Sequence, residues 1–423
     1  MESQINVKRQ EKLWNMNFFL LWQGAFVSTL GDVVYEIALG FWVLAVTGST
    51  ALMGTLMAAT AIPRVLISPF AGVVVDRVNR KHLLVLMDLI RGVFIIGVGV
   101  AAYQGVITVW MVFVSGVILG ICSAFFIPAV NSVLPDIVPK SKLMGANSVL
   151  GIIETGSNII GNAVGGIAFQ MLGTPFIFLI NGISYVLSAF TEAFLRIPKI
   201  EQRGEQKHFM KDMKEGCLFV WKAKGLRYFL LILSIANFVI CIVMILLLPL
   251  YQQNESLGPA KYGVSMAFLT GGMFLGMIFT SVARILPSKR RTVYLICTVV
   301  SNLCFILFAL TDKFPMMLTF IFIGGAFMSV SSVLITSTIQ LIIPQDMRGK
   351  VFALIGMITQ SLTPLGMGVG GILAEFIPIR TVIFVCFLFE LLIFIPVAFD
   401  PSFKRFINFD EEKETLESIF GYK

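Results

Sequence analysis

The chain has 423 residues, 57% hydrophobic and only 13% charged, with a mean hydropathy of +0.89 and a formal net charge of +8. A soluble domain is nearer one quarter charged, and this chain has too few polar groups to cover a water-facing surface, so most of it must face lipid. That excludes a soluble enzyme or a nucleic-acid-binding domain as the explanation of the positive charge.

The N-terminus is not expected to be a cleaved signal peptide, because its first apolar stretch is too long and no small-residue cleavage site follows. Crossing a bilayer takes about 20 apolar residues. Twelve stretches qualify: about 17–46, 50–76, 83–104, 107–135, 142–171, 174–195, 226–252, 262–286, 292–311, 314–343, 349–376 and 379–399. Each is predicted to be helical, since a lone segment in lipid must satisfy its backbone internally. Alternating ten-residue strands of a β-barrel are not found. Between the sixth and seventh stretches lies a polar segment, about Arg196 to Arg227, containing "KHFMKDMKEGCLFVWKAKG". Its basic residues and Phe209, Met213, Phe219 and Val220 predict a short amphipathic helix on the membrane surface. The expected organisation is an N-terminal six-helix bundle (1–195), a linker (196–225), a C-terminal six-helix bundle (226–400) and a tail (401–423).

Orientation follows from Lys and Arg. One set of loops holds Lys8, Arg9, Lys12, Arg77, Arg80, Lys81, Lys140, Lys142, Lys289, Arg290, Arg291, Arg348, Lys350 and the C-terminal tail. The opposite set holds only Lys261, Lys313 and Arg380. The first set is expected to be cytoplasmic, and both termini with it. The charge is therefore mostly topological.

The halves repeat. "IVPKSKLMGANSVLGIIETGSNIIGNAVGGI" (137–167) aligns without a gap on "IIPQDMRGKVFALIGMITQSLTPLGMGVGGI" (342–372), matching Pro139/Pro344, Gly151/Gly356, Gly161/Gly366, Gly165/Gly370 and Gly166/Gly371. Both are loops entering a span, so span five corresponds to span eleven and six spans to six. A parallel repeat of this kind is the layout of a rocker-type secondary transporter. A membrane enzyme or receptor is not expected, and a sugar importer is disfavoured because the cavity spans are poor in Asn, Gln and Trp. The two histidines, His82 and His208, fall in loops, the six cysteines show no metal or redox spacing, and "GGMFLGM" lacks the Lys and Ser/Thr of a phosphate loop. No cofactor is expected.

After the second stretch comes "GVVVDRVNRK" (72–81). It meets the loop signature G-x-x-x-D-R-x-x-R-[KR] at Gly72, Asp76, Arg77, Arg80 and Lys81. With twelve spans and the half repeat, the chain resembles the major facilitator superfamily over essentially its whole length. Through "IPAVNSVLPDIVP" (127–139), "RIPK" (196–199) with "MKEG" (213–216), and "GKVFALIG" (349–356) with "PLG" (364–366), it is similar to the macrolide-efflux group of drug:proton antiporters. Siderophore exporters fall in the same subgroup, and lysophospholipid flippases resemble it. Where related antiporters carry G-P-x-x-G-G in span five, this chain reads Gly161-Asn162-Ala163-Val164-Gly165-Gly166.

Asp76 is the odd charge in that loop, since a carboxylate at a helix C-terminus is disfavoured unless another helix N-terminus caps it. In the superfamily that neighbour is span eleven, beginning here near Arg348–Phe352. Asp136, at the same end of span four, is a partner for Arg77 or Arg80. The resemblance implies that Gly72, Asp76, Arg77, Arg80, Lys81 and Asp136 form a conformational latch.

Ionisable residues at membrane depth are functional suspects, since each costs at least a few kcal/mol. Counting from span ends puts Asp32, Arg64, Glu154 and Glu390 near the midplane, and Glu36 one turn outward of Asp32 on the same face. Asp88 and Arg91 lie somewhat inward at i, i+3 and can pair. Since spans one, four, seven and ten line the superfamily's cavity, flanked by two, five, eight and eleven, Asp32, Glu36 and Glu154 are the candidate proton-coupling carboxylates. Arg64 is a possible partner for Asp32. Glu390 and the Asp88–Arg91 pair are read as structural. Gln23, Trp22, Tyr35, Phe125, Phe126, Asn131, Asn237 and Gln360 are candidates for the rest of a lipophilic pocket. The resemblance implies a monomeric, multi-pass cell-membrane exporter, driven by the proton gradient, of small lipophilic and often cationic compounds such as macrolides. The alternative is a lysophospholipid flippase or siderophore exporter of the same fold.

Overall fold

The computed structural model describes residues 13–139, 142–197, 218, 224–283, 285–343, 351, 354–358 and 361–409. Among these there is no strand. The helices are α1 (Met16–Thr47), α2 (Thr50–Arg77), α3 (Arg80–Tyr103), α4 (Val109–Ile137), α5 (Leu143–Glu192), α6 (Lys224–Gln252), α7 (Gly258–Val282), α8 (Arg290–Leu310), α9 (Phe314–Ile342), α10 (Thr363–Phe376), α11 (Ile379–Phe399) and α12 (Pro401–Ile407).

Polar residues set where the helices begin. Asn15 accepts the Phe18 amide at 2.9 Å, Ser49 that of Leu52 at 3.1 Å, and Asn79 that of His82 at 3.3 Å. Each side chain satisfies one of the donors a helix start leaves unpaired. Gly48, at φ 66, ends α1 in the left-handed region that glycine enters freely. α5 is 50 residues long, but Gly173, at φ 73 and ψ 172, breaks it ahead of Pro175. It therefore holds the fifth and sixth predicted stretches, as a first arm (143–172) and a second arm (174–192). Nine helices among the described residues are long and apolar enough to cross a membrane, α5 counted once. The eleventh stretch lies partly outside the described residues, and so does most of the expected amphipathic linker helix.

The chain divides into two compact units. The first takes Met1–Arg203 with Tyr251–Val264, and the second Gly204–Leu250 with Ser265–Lys423. In the first unit α1 and α3 pack on α5, and α2 packs on α4. Asn17 ties the two ends of this unit together. Its Nδ2 donates to the Arg196 carbonyl at 3.1 Å and its Oδ1 accepts the Arg196 N–H at 3.0 Å. In the second unit α8 packs on α9 and α11. Here α12 is part of the fold rather than a free tail: Phe403, Phe406 and Ile407 are buried in the core, and Arg290 Nη1 donates to the Phe409 carbonyl at 2.9 Å.

Lipid-facing helices gain little from apolar burial, so close approach through small residues holds them together. The repeat seen in the sequence reappears as matched contacts. A Cβ on Gly161 would lie 2.8 Å from Val33 on α1, and one on Gly165 would lie 2.7 Å from Ile37. In the second unit a Cβ on Gly366 would lie 2.8 Å from Cys241 on α6, and one on Gly370 would lie 2.8 Å from Ile245. Both glycine pairs are four apart, and so are the residues they meet. α3 and the second arm of α5 cross through a third set of small residues. A Cβ on Gly92 would meet Val186 at 2.6 Å and one on Gly182 would meet Ile96 at 2.6 Å.

Candidate functional site

The α3/α5 crossing decides what surrounds Asp32. The second arm of α5 is apolar except for one face, where Asn181, Tyr185, Ser188 and Glu192 follow at spacings of four, three and four. Asp32, half-buried on α1, meets the near end of that face. Its Oδ1 accepts a short hydrogen bond from the Tyr185 hydroxyl and a 3.4 Å bond from Asn181 Nδ2. A Cβ on Gly31 would collide with the Asn181 side chain, so glycine at 31 lets α5 come this close.

Behind Asp32, on α3, Asp88 and Arg91 form the i, i+3 pair expected from their spacing. Arg91 Nη1 lies 3.3 Å from Asp88 Oδ1, with the two side chains 4% and 0% exposed. The Arg91 guanidinium also sits over two rings, 4.5 Å from the centre of Phe126 on α4 and 5.3 Å from that of Tyr185. Tyr185 thus touches both charges, bonding Asp32 through its hydroxyl and facing Arg91 with its ring. Glu192 completes the group. It is fully buried and within electrostatic reach of Asp88 and Arg91. Neither of its carboxyl oxygens has a hydrogen-bond partner; the same holds for both Asp88 oxygens, Ser188 Oγ, and Nε and Nη2 of Arg91.

The sequence reading missed Glu192 and Tyr185 as site residues. Glu192 falls within three residues of the predicted end of its stretch, where a carboxylate ordinarily reaches water. The signal was the four-three-four spacing of Asn181, Tyr185, Ser188 and Glu192 on the one polar face of the helix.

The other predicted residues are distributed as follows. Glu36 lies one turn along α1 from Asp32 and is exposed. Tyr35 is buried and packs on Phe178 with ring centres 4.7 Å apart. Gln23 Nε2 donates to Thr191 Oγ1 at 2.6 Å, tying α1 to α5. Arg64 is exposed on α2 and makes no ion pair with Asp32; rotation of α1 turns Asp32 toward α5 instead. Glu154 is exposed on the first arm of α5, above a row in which Asn158 Nδ2 donates to the Glu154 carbonyl and Asn162 Nδ2 to the Asn158 carbonyl, each at 2.7 Å. Asn131 is exposed on α4. Asn237, in the second unit, accepts from Thr363 Oγ1 at 3.5 Å. Trp22 stacks on Phe26 with ring centres 5.9 Å apart. Gln360 lies outside the described residues.

Of the latch residues, Arg80 Nη1 bonds Asp136 Oδ2 at 2.7 Å and the Ser132 carbonyl at 3.2 Å. Arg77 is exposed, Lys81 is half-buried, and a Cβ on Gly72 would meet open space. The Asp76 side chain lies outside the described residues, as does the Arg348–Phe352 stretch apart from Val351.

The whole of this architecture has counterparts. Macrolide efflux protein A of Streptococcus pyogenes is 26% identical over 370 residues, which cover 86% of this chain and 90% of that protein. The multidrug efflux pump Tap of Mycolicibacterium fortuitum is 24% identical over 83% of this chain and 87% of its own length. A solved bacterial homologue of the human lysosomal transporter Spinster superposes with a TM-score of 0.69 at 14% identity, covering 94% of this chain and 98% of its own, a likeness of fold. A family model described as transmembrane secretion effector matches residues 12–404. The chain therefore belongs to the transmembrane secretion effector family of major facilitator transporters.

Proposed function

We propose that this chain is a monomeric efflux transporter of the cell membrane. It exports small lipophilic, often cationic compounds such as macrolides in exchange for protons, by alternating access. The efflux reading is supported by relatives that are macrolide and multidrug efflux proteins along nearly their full length. The observation that carries proton coupling is Asp32, an acidic group halfway along a 32-residue apolar helix, half-accessible and held by donors from α5. Removal from water disfavours the charged form of a carboxyl group, so such a group can hold a proton in one conformation and release it in another. Glu36 and Glu154, both exposed, are the accompanying carboxylates, and a cationic substrate competes with the proton for the same charge. The Lys/Arg-rich loops face the cytoplasm with both termini, and residues 1–195 and 226–400 act as the two transporting bundles, joined by 196–225. The Gly72–Lys81 loop with Asp136 acts as the latch.

The test is transport into proteoliposomes under an imposed pH gradient, comparing wild type with Asp32→Asn and Glu154→Gln. Macrolide movement that follows the gradient in wild type and loses that dependence in Asp32→Asn supports the reading. Full gradient dependence in both variants rejects these coupling residues. Movement of a lysophospholipid but of no macrolide rejects the substrate class.

A further inference from the structure

We propose that Asp88, Glu192 and Arg91 form a proton-holding centre inside the first unit, in which two buried carboxyl groups share one buried guanidinium and one proton, with the half-buried Asp32 linked to it through Tyr185. Transport use of this centre rests on the proton-antiport reading above; its existence does not.

Asp88 and Glu192 are fully buried, Arg91 is 4% exposed, and Asp32 is joined to them through Tyr185, itself 1% exposed. An uncompensated charge in such surroundings costs several kcal/mol, which it avoids by taking or losing a proton. Arg91 cannot lose its proton, so of the two fully buried groups it compensates one carboxylate and the other is a carboxylic acid, while Asp32 is half-buried and takes hydrogen bonds from Tyr185 and Asn181. The remaining titratable and charged groups within reach leave this balance as it stands. Arg64 on α2 reaches Asp32 but is exposed, Glu36 on α1 adds negative charge, and Cys122 on α4, Tyr35 on α1 and Tyr185 on α5 are neutral when protonated.

The second observation is the unsatisfied hydrogen bonding. Both Glu192 oxygens, Asp88 Oδ2 and Ser188 Oγ lack hydrogen-bond partners, though each is buried, and Asp88 Oδ1 has only its 3.3 Å contact with Arg91. A carboxylate offers only acceptors; a protonated carboxyl group also has a donor to offer. Because the proton is shared between interacting groups, it belongs to the centre rather than to one residue.

α8 of the second unit differs from α3 at the corresponding count from its start. α3 and α8 both begin at an arginine, Arg80 and Arg290, and counting from these puts Thr298 and Ser301 of α8 where α3 has Asp88 and Arg91. The second unit fills those positions with neutral, hydrogen-bonded side chains. Thr298 Oγ1 and Ser331 Oγ are 3.2 Å apart, and Ser301 Oγ donates to the Gly324 carbonyl at 2.9 Å. Eight and eleven residues from its first arginine, α8 therefore carries neutral side chains bonded to α9 in place of an ion pair.

The experiment measures protonated carboxyl groups directly. Infrared difference spectra of the purified, full-length protein in lipid nanodiscs are recorded through a pH titration in buffers with and without sodium. The wild type is expected to retain a carboxylic C=O band at neutral pH, assigned to these residues by its weakening in Glu192→Gln and in Asp88→Asn. Arg91→Gln is expected to strengthen it by one further carboxyl group. Both carboxyl variants preserve shape, so the test does not depend on Arg91→Gln folding. A band unchanged in Glu192→Gln and Asp88→Asn, or one that responds to sodium at fixed pH, overturns the proposal. Should the band behave as expected while Asp32→Asn transports with full gradient dependence, the centre stands and the coupling role of Asp32 fails.

Discussion

Replacing Arg91 with serine, the residue at the corresponding place in α8, tests the charge balance energetically. Removing one member of a buried ion pair costs about 3–5 kcal/mol. A second route gives a similar figure. Without Arg91 the first unit must bury one more protonated carboxyl group, and protonating a carboxyl with an ordinary value near 4 costs about 1.4 kcal/mol for each pH unit above it, about 4 kcal/mol at pH 7. The sign follows from the unfolded chain, where the same group is ionised at neutral pH and binds its proton only near pH 4. The penalty is therefore largest at neutral pH and shrinks as the pH falls. In Asp88→Thr/Arg91→Ser a carboxyl group leaves with the cation, so one proton again suffices and stability returns to within about 1 kcal/mol of wild type. The assay is thermal unfolding of the purified protein at a series of pH values. A deficit in Arg91→Ser that stays constant with pH, or a double variant no more stable than the single one, would refute the charge balance.

Two further outcomes are expected. Leucine at Gly165 or Gly370 places atoms where even a Cβ lies 2.7 or 2.8 Å from Ile37 or Ile245, so each should cost about 1–3 kcal/mol by overpacking. Alanine at Gly151 or Gly356, where a Cβ meets nothing within 4 Å, should be tolerated or gain up to about 1 kcal/mol of helix propensity. Equal melting temperatures across the four variants would count against the matched crossings. Asp76→Asn should abolish most transport at unchanged expression. Arg80→Ala, whose pair with Asp136 is 24% and 14% exposed, should cost under about 1 kcal/mol of stability. Normal transport by Asp76→Asn would remove the latch.

The helical fold was legible because lipid leaves the backbone few choices. Long apolar runs must be helices, and the ungapped repeat of Gly161/Gly366 and Gly165/Gly370 marked positions where only a hydrogen fits. Arg80 with Asp136, and Asp88 with Arg91, followed from helix ends and from i, i+3 spacing. Depth along a helix, however, says nothing about rotation around it. Asp32 and Arg64 lie at similar depth, yet Asp32 is turned to Asn181 and Tyr185, and Arg64 is exposed. Nor does spacing within α3 reveal that Gly92 and Gly182 bring Asp88 and Arg91 against the polar stripe of α5. The separate α1–α5 contact joins groups 149 and 153 residues apart in the bonds of Asp32 to Asn181 and Tyr185.

The comparison between the two units bears on why charges were kept at all. Glycine contacts of the same kind recur in both, so close helix crossing is a requirement of the fold. Buried charge does not recur at the α8 positions, where Thr298 and Ser301 satisfy themselves with hydrogen bonds. A neutral arrangement of similar size is commonly as stable as a buried ion pair. The unit that carries Asp88 and Arg91 is also the one that holds Asp32. Charge kept on α3 while α8 is neutral at the corresponding positions is what the proposed proton-holding centre requires, and a stable, fully transporting Asp88→Thr/Arg91→Ser variant would remove that reason for it.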